Sequence, residues 1–198
     1  MKLRILAIRV IGRFHWGYSI RAVSESAAAH PYLVPPPSTL IGAFSYGLSR
    51  LFGLGECIEV RIEKNSTLAS RALNLYDVIP WATFGFEKSN EEDIIVLAHG
   101  YSDPTRLFRL IYQRGVRHEW EQKDMWFGVA AHGKIYYPSG GFKIVYLIDE
   151  EKFQKSNIIN GDRKDIDKIL AKACSFINRL GSKESLISIQ SVEITRNI

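Results

Sequence analysis

The sequence predicts an α+β fold: a ferredoxin-like (RRM-like) βαββαβ domain with extra strands and a central thumb-like insertion. Three observations predict it. A β-branched run opens the chain, two segments carry apolar residues at helical spacing (one early, one late), and strand-like runs fill the middle and the end. The 198 residues, 46% hydrophobic and 24% charged, have an ordinary globular balance and suit a single domain over 1–198 with an insertion at about 100–126.

Residues 2–11 (KLRILAIRVI) read as the first strand. Lys2 and Arg4 alternate with Leu3 and Ile5, then the apolar phase moves to Leu6, Ile8 and Val10, which predicts a bulge or strong twist near Leu6 and an end at Gly12. A long connection over 13–37 follows, a length that compact domains reserve for functional or mobile segments. Pro35, Pro36 and Pro37 set an extended approach to a helix that Ser38 or Thr39 is placed to cap, with Leu40, Phe44, Leu48, Leu51 and Phe52 on its apolar side and Gly53 and Gly55 as its stop. Strand candidates then fall at Cys57–Ile62, Ile94–His99, Trp126–Ala131 and Phe142–Ile148, the last behind a Pro138–Gly141 turn. Asp162 or Asp165 opens a second helix whose apolar face runs through Ile166, Ile169, Leu170, Ala173, Ile177 and Leu180, with Gly181 as its stop. A final strand over Leu186–Thr195 shifts phase near Gln190.

The net charge of +5 is concentrated at one end. Residues 1–55 hold six cations (Lys2, Arg4, Arg9, Arg13, Arg21 and Arg50) against the single acid Glu25, and the remainder balances. A basic end suits a polyanion such as nucleic acid, and a solubilising surface accounts for it equally well. No window approaches the roughly 18 apolar residues of a membrane span, and Arg4 and Arg9 interrupt the apolar start, so no signal peptide, no membrane partner and a cytoplasmic location are expected. Cys57 and Cys174 form no CxxC pair and read as reduced thiols.

Catalytic signals are sparse. His15, His30, His99, His118 and His132 show no metal-ligand spacing, and neither a GxSxG elbow nor a Walker A sequence is present, so no metal and no cofactor are expected. One enzymatic alternative survives: metal-independent RNA cleavage needs a base for the 2′-OH and a cation for the developing phosphorane charge, roles that Tyr46, Arg117 and His118 have the chemistry to fill. Adjacency in sequence does not supply the convergent geometry that reaction demands, and a non-catalytic role is the primary expectation.

Two segments are more specific. The run Tyr32–Ala43 (YLVPPPSTLIGA) resembles the proline-rich lead-in to the first helix of the CRISPR-associated Cas-five family, and Arg179–Ser185 (RLGSKES) resembles that family's Gly-x-Lys-Glu turn before the last strand. The resemblance implies a RAMP-superfamily subunit of a type I Cascade complex, closest to the archaeal type I-A branch. Such a subunit binds the 5′ handle of crRNA and contacts a Cas-seven backbone subunit and the large subunit. RAMP proteins often carry a fuller glycine-rich loop here, where this chain has Gly181 alone.

The residues agree with that implication at several points. Gly181 and Ser182 can present backbone N–H groups to a phosphate, with Lys183 adding charge; a plain helix cap is the competing reading. Arg13, His15, Trp16 and Arg21 combine cations with an aromatic surface for a base, although Trp16 also reads as core. Arg106, Arg109, Arg114 and Arg117 populate the expected thumb, where Glu119, Glu121 and Asp124 stand ready to neutralise part of the run. A third reading is a protein-binding scaffold whose basic end is incidental.

Overall fold

The computed structural model describes residues 4–20, 31–62, 65–88, 97–102, 105–107, 127–129, 132–156, 165–182 and 184–196. Its elements are β1 (Ile5–Phe14), β2 (Gly17–Tyr18), α1 (Pro37–Phe52), β3 (Cys57–Ile62), β4 (Asn65–Ser70), a 3-10 turn (Arg71–Leu75), β5 (Trp81–Phe86), β6 (Ala98–Ser102), β7 (Thr105–Leu107), β8 (Phe127–Val129), β9 (His132–Tyr136), β10 (Gly141–Asp149), α2 (Glu150–Lys155), α3 (Ile166–Ser175) and β11 (Ile187–Thr195). The fold is α+β. Its main sheet is antiparallel throughout, in the order β11–β1–β10–β5. Along the chain, β1, α1, β5, β10, α3 and β11 alternate as strand, helix, strand, strand, helix, strand. The smaller sheets are β2–β9–β6, the β3–β4 hairpin and the β7–β8 ribbon.

Strand alternation explains the core. Leu6, Ile8, Val10 and Phe14 of β1 and Phe142, Ile144, Tyr146 and Ile148 of β10 are buried on one side, together with Leu40, Phe44 and Leu48 of α1 and Leu170 and Ala173 of α3. The buried Tyr146 hydroxyl donates to the Leu40 carbonyl at 3.0 Å and fixes α1 over the sheet. α1 and α3 touch through Gly47, where an added Cβ would stand 2.1 Å from the Ala173 carbonyl oxygen.

Several expectations need correcting. β1 does not end at Gly12, because the Phe142 ring fills the space a Cβ would take there, 2.5 Å away, and the strand continues to Phe14. Nor does the irregularity fall near Leu6. It lies between Ile11 and Gly12, opposite Gln190, which is where the phase shift in the last strand was expected. Neither Ser38 nor Thr39 caps α1: Pro36 is the N-cap residue and Pro37 the first helical residue, whose preset φ and missing N–H reduce the need for a side-chain cap. Gly53 ends α1 in the left-handed conformation, as expected. α3 stops at Ser175, not at Gly181. Ile177 and Leu180 are buried beyond the helix, where Ile187 N–H donates to the Asn178 carbonyl and Arg179 bridges Leu186. Of the middle strands, Cys57–Ile62 and Phe142–Ile148 match β3 and β10, but β5, an edge of the main sheet, was missed. Most of the expected thumb, including 108–126, lies outside the described residues.

Candidate nucleic-acid interface

α1 has two working sides. Leu40, Phe44 and Leu48 face the core, whereas Thr39, Gly42, Ala43 and Tyr46, spaced i, i+3, i+4 and i+7, line an open cleft of about 540 Å³. The opposite wall is Ser19 and Ile20 from the segment after β2, and Arg179, Gly181 and Ser182 from the turn before β11, with Glu56 at one end. Small side chains on the α1 wall keep the cleft wide; at Gly42 an added Cβ would meet nothing within 4 Å.

The turn is held in place by its serines. Ser182 N–H donates to the Ser19 carbonyl at 3.0 Å, Ser19 N–H donates to Ser185 Oγ at 2.9 Å, and the Ser182 and Ser185 hydroxyls lie 3.1 Å apart. Ser185 is fully buried, and Leu180 N–H closes the turn on its carbonyl at 3.0 Å. Gly181 has φ near 100°, and a Cβ there would press within 2.5 Å of Ile20, so the close approach of two distant segments demands glycine. Gly181 is therefore a turn residue in a cleft wall, which replaces the plain helix cap.

The cation lining the cleft is Arg179. Its guanidinium lies 4.9 Å from the Tyr46 ring centroid, and one nitrogen is 3.6 Å from Glu56 Oε2. Asn178 Nδ2 reaches the Tyr46 hydroxyl at 3.5 Å. A guanidinium stacked on a ring and held by one exposed carboxylate is oriented without being saturated, so a phosphate can take over its remaining donors. The buried phenols elsewhere are structural. Burial pushes Tyr18 up, keeping it a protonated donor to the Leu33 carbonyl, and this ties the approach to α1 onto the core. Tyr137 is likewise raised by burial and bonds the carbonyls of Gly141 (2.8 Å) and Glu87 (3.0 Å).

Among residues expected from the sequence, Gly181 and Ser182 line the cleft, and so does Tyr46. His15 and Trp16 stand beyond the other end of the same turn with their polar atoms engaged: His15 Nε2 lies 2.9 Å from Ser188 Oγ, and Trp16 Nε1 donates to the Glu184 carbonyl at 2.8 Å. Trp16 also packs against Tyr136, with Lys134 over its ring at 5.6 Å. Arg13 is exposed on β1, opposite Ser188 and Gly141, with no carboxylate partner among the described residues. On the sheet face away from the helices, Arg9 pairs with Glu193 and Lys143 with Glu87 (3.2 Å), so much of the charge there is already neutralised. Arg106 lies in strand β7. Arg21, Arg109, Arg114, Arg117, His118 and Lys183 lie outside the described residues.

Arg179, Glu56 and Ser185 were missed as site residues. A T-x-x-G-A-x-x-Y pattern along α1, small where the other face is large, was the available signal for the helix wall. Among the described residues no three His, Cys, Asp or Glu side chains cluster to hold a metal, and no helix is long and apolar enough to cross a membrane.

No family model matches the chain. It is 30% identical over 186 residues to the CRISPR system aCascade subunit Cas5 1 of Saccharolobus solfataricus, covering 94% of this chain and 64% of that protein. To CRISPR-associated protein Cas5 2 of the same organism it is 28% identical over 186 residues, covering 93% and 60%. The chain thus spans under two thirds of the length of the curated relatives it matches. Among solved structures, a chain of the type III-B Cmr-beta complex bound to cognate target RNA overlays 98% of this chain and 61% of its own length, at a TM-score of 0.49 and 13% identity.

Proposed function

The chain belongs to the CRISPR-associated Cas5 family, and from that premise we propose that it is a non-catalytic, crRNA-binding subunit of a type I Cascade surveillance complex, gripping the 5′ handle of the guide. The observation that carries the proposal is the cleft between α1 and the Gly181 turn. It is open, with Thr39, Gly42 and Ala43 along its α1 wall and a guanidinium oriented on the Tyr46 ring. A phosphate bound at Arg179 would displace Glu56, while the Ser182 hydroxyl and the α1 wall accommodate the ribose and base edges. Handle bases would be read in a splayed single strand, because A-form RNA hides its major-groove edges. Arg13, Arg21, Lys183 and the thumb arginines Arg106, Arg109, Arg114 and Arg117 would extend the phosphate track, and partners of the Cas-seven backbone type and the large subunit would meet the chain alongside the handle.

Sequencing RNA that copurifies with the protein, and mapping its 5′ ends, tests this directly: one repeat-derived 5′ end is expected, retained less as salt is raised. Copurification with a backbone subunit and no RNA would instead make the chain a protein scaffold. Charge reversal at Arg106 and Arg109 should weaken binding; affinity held within about twofold would remove the thumb from the track. Because Tyr46 stands in the cleft, the repeat-RNA endoribonuclease remains the second reading. Incubation with repeat RNA in EDTA separates the two, since specific cleavage that disappears in His118→Ala would replace a binding role with an enzymatic one.

A further inference from the structure

Beyond Tyr46 the cleft continues into a second cavity of about 230 Å³ between α1 and the β3–β4 hairpin, lined by Ser45, Tyr46, Ser49, Glu56, Cys57 and Ser70. The two share Gly42, Tyr46 and Glu56. This cavity carries an anomaly: Ser49 is only 2% exposed, and its hydroxyl is the one buried side-chain polar atom without a hydrogen-bond partner among the described residues. Buried hydroxyls are costly to leave unpaired, so an orphan lining a cavity points to a polar ligand. A second sign is Gly42, mid-helix where glycine weakens α1, with open space where its side chain would stand.

Resting on the cleft being the RNA site, we infer that this second cavity receives one unstacked base and selects guanine. When a phosphate takes Arg179, Glu56 loses its cation and is left at the mouth of the cavity as an acceptor-only group beside a polyanion. It needs a donor there. Guanine offers two side by side, N1–H and N2–H₂, in the bidentate arrangement a carboxylate accepts. Adenine and cytosine offer a single amino group, and uracil turns carbonyl oxygens toward the carboxylate on either side of its one N–H. The Ser49 hydroxyl supplies a further contact at the cavity wall. The cavity is smaller than a pocket for a cofactor-sized ligand, and a single planar base suits it.

The test uses labelled short oligouridines carrying one guanosine, adenosine or cytidine at each position in turn. Guanosine at one position should tighten binding about tenfold over uridine. Glu56→Gln should abolish that preference while raising affinity for oligouridine itself, because Arg179 is then released. Ser49→Ala should lower the guanosine affinity about threefold yet leave the free chain as heat-stable as before or more so, a combination that a purely structural serine would not give. Cys57 is exposed beside the cavity while Cys174 is buried with its thiol pushed up to about 12, so the guanosine oligomer should slow Cys57 alkylation more than oligouridine does. If no position prefers guanosine, or the preference survives in Glu56→Gln, the base assignment is wrong. Oligouridine binding that collapses in Arg179→Glu would show that the cleft still binds RNA in that case, whereas no RNA binding by the wild-type chain at low salt would overturn both.

Discussion

Gly42 and Gly47 stand five positions apart on α1 and do opposite things. At Gly47 a Cβ would collide with the Ala173 carbonyl of α3; at Gly42 it would enter empty space. The first glycine lets two helices close on each other, and the second keeps a surface open to something else. One helix thus divides its circumference between a packed side and an open one, and the same residue type serves both by omitting a side chain.

The strongest way to break this contrast is Gly47→Ala, which should destabilise the fold by about 3 kcal/mol, because the obstacle is backbone and the helices must part; chemical denaturation measures it. Arg179→Glu should leave the denaturation midpoint nearly unchanged and cost about 2 kcal/mol of RNA affinity, roughly 30-fold, in titrations at low salt. Ser185→Ala removes the acceptor of the Ser19 N–H and should cost about 1.5 kcal/mol of stability, with weaker RNA binding as the turn loosens. Gly42→Ala should do the reverse of Gly47→Ala, raising stability by about 0.5–1 kcal/mol through helix propensity, while the bulkier Gly42→Leu keeps the fold and blocks the cleft. The smallest effect lies far from the cleft. Arg196 donates to Asp167 at 2.7 Å and, chiefly through that hydrogen bond, holds its carboxyl below the usual range. A depressed carboxylate contributes stability above its unfolded value, about 3.9, and loses it as pH falls through the folded value, so Asp167→Asn should flatten the acid limb of the stability profile there. Both side chains are about half exposed, which keeps the gain under about 1 kcal/mol.

The parts of the fold legible in the sequence are those written locally. Alternation along Ile5–Phe14 and Phe142–Ile148, helical spacing from Leu40 to Leu48, and Gly53 as a stop each need only a dozen neighbouring residues. The misreadings share a cause. Gly12 looks like a strand end until the Phe142 ring is placed over it, and Ile177 and Leu180 continue a helical pattern although backbone pairing with Asn178 and Arg179 claims that stretch. β5 escaped notice because Trp81, Thr83 and Gly85 on its outer side blur the apolar alternation of Ala82, Phe84 and Phe86.

By itself the sequence determined the α+β class, the central strands β1 and β10, the helix α1 and the two motifs that carry the family resemblance, since each rests on a pattern within a segment. Only the tertiary structure decided the cleft. Strand pairing and helix packing bring Arg179 to Ser19, Gly42 and Glu56, which stand more than a hundred residues earlier in the chain. Such contacts leave no periodic trace, so the turn that reads as a helix cap becomes a wall of the site, and the arginine beside it becomes its charged centre.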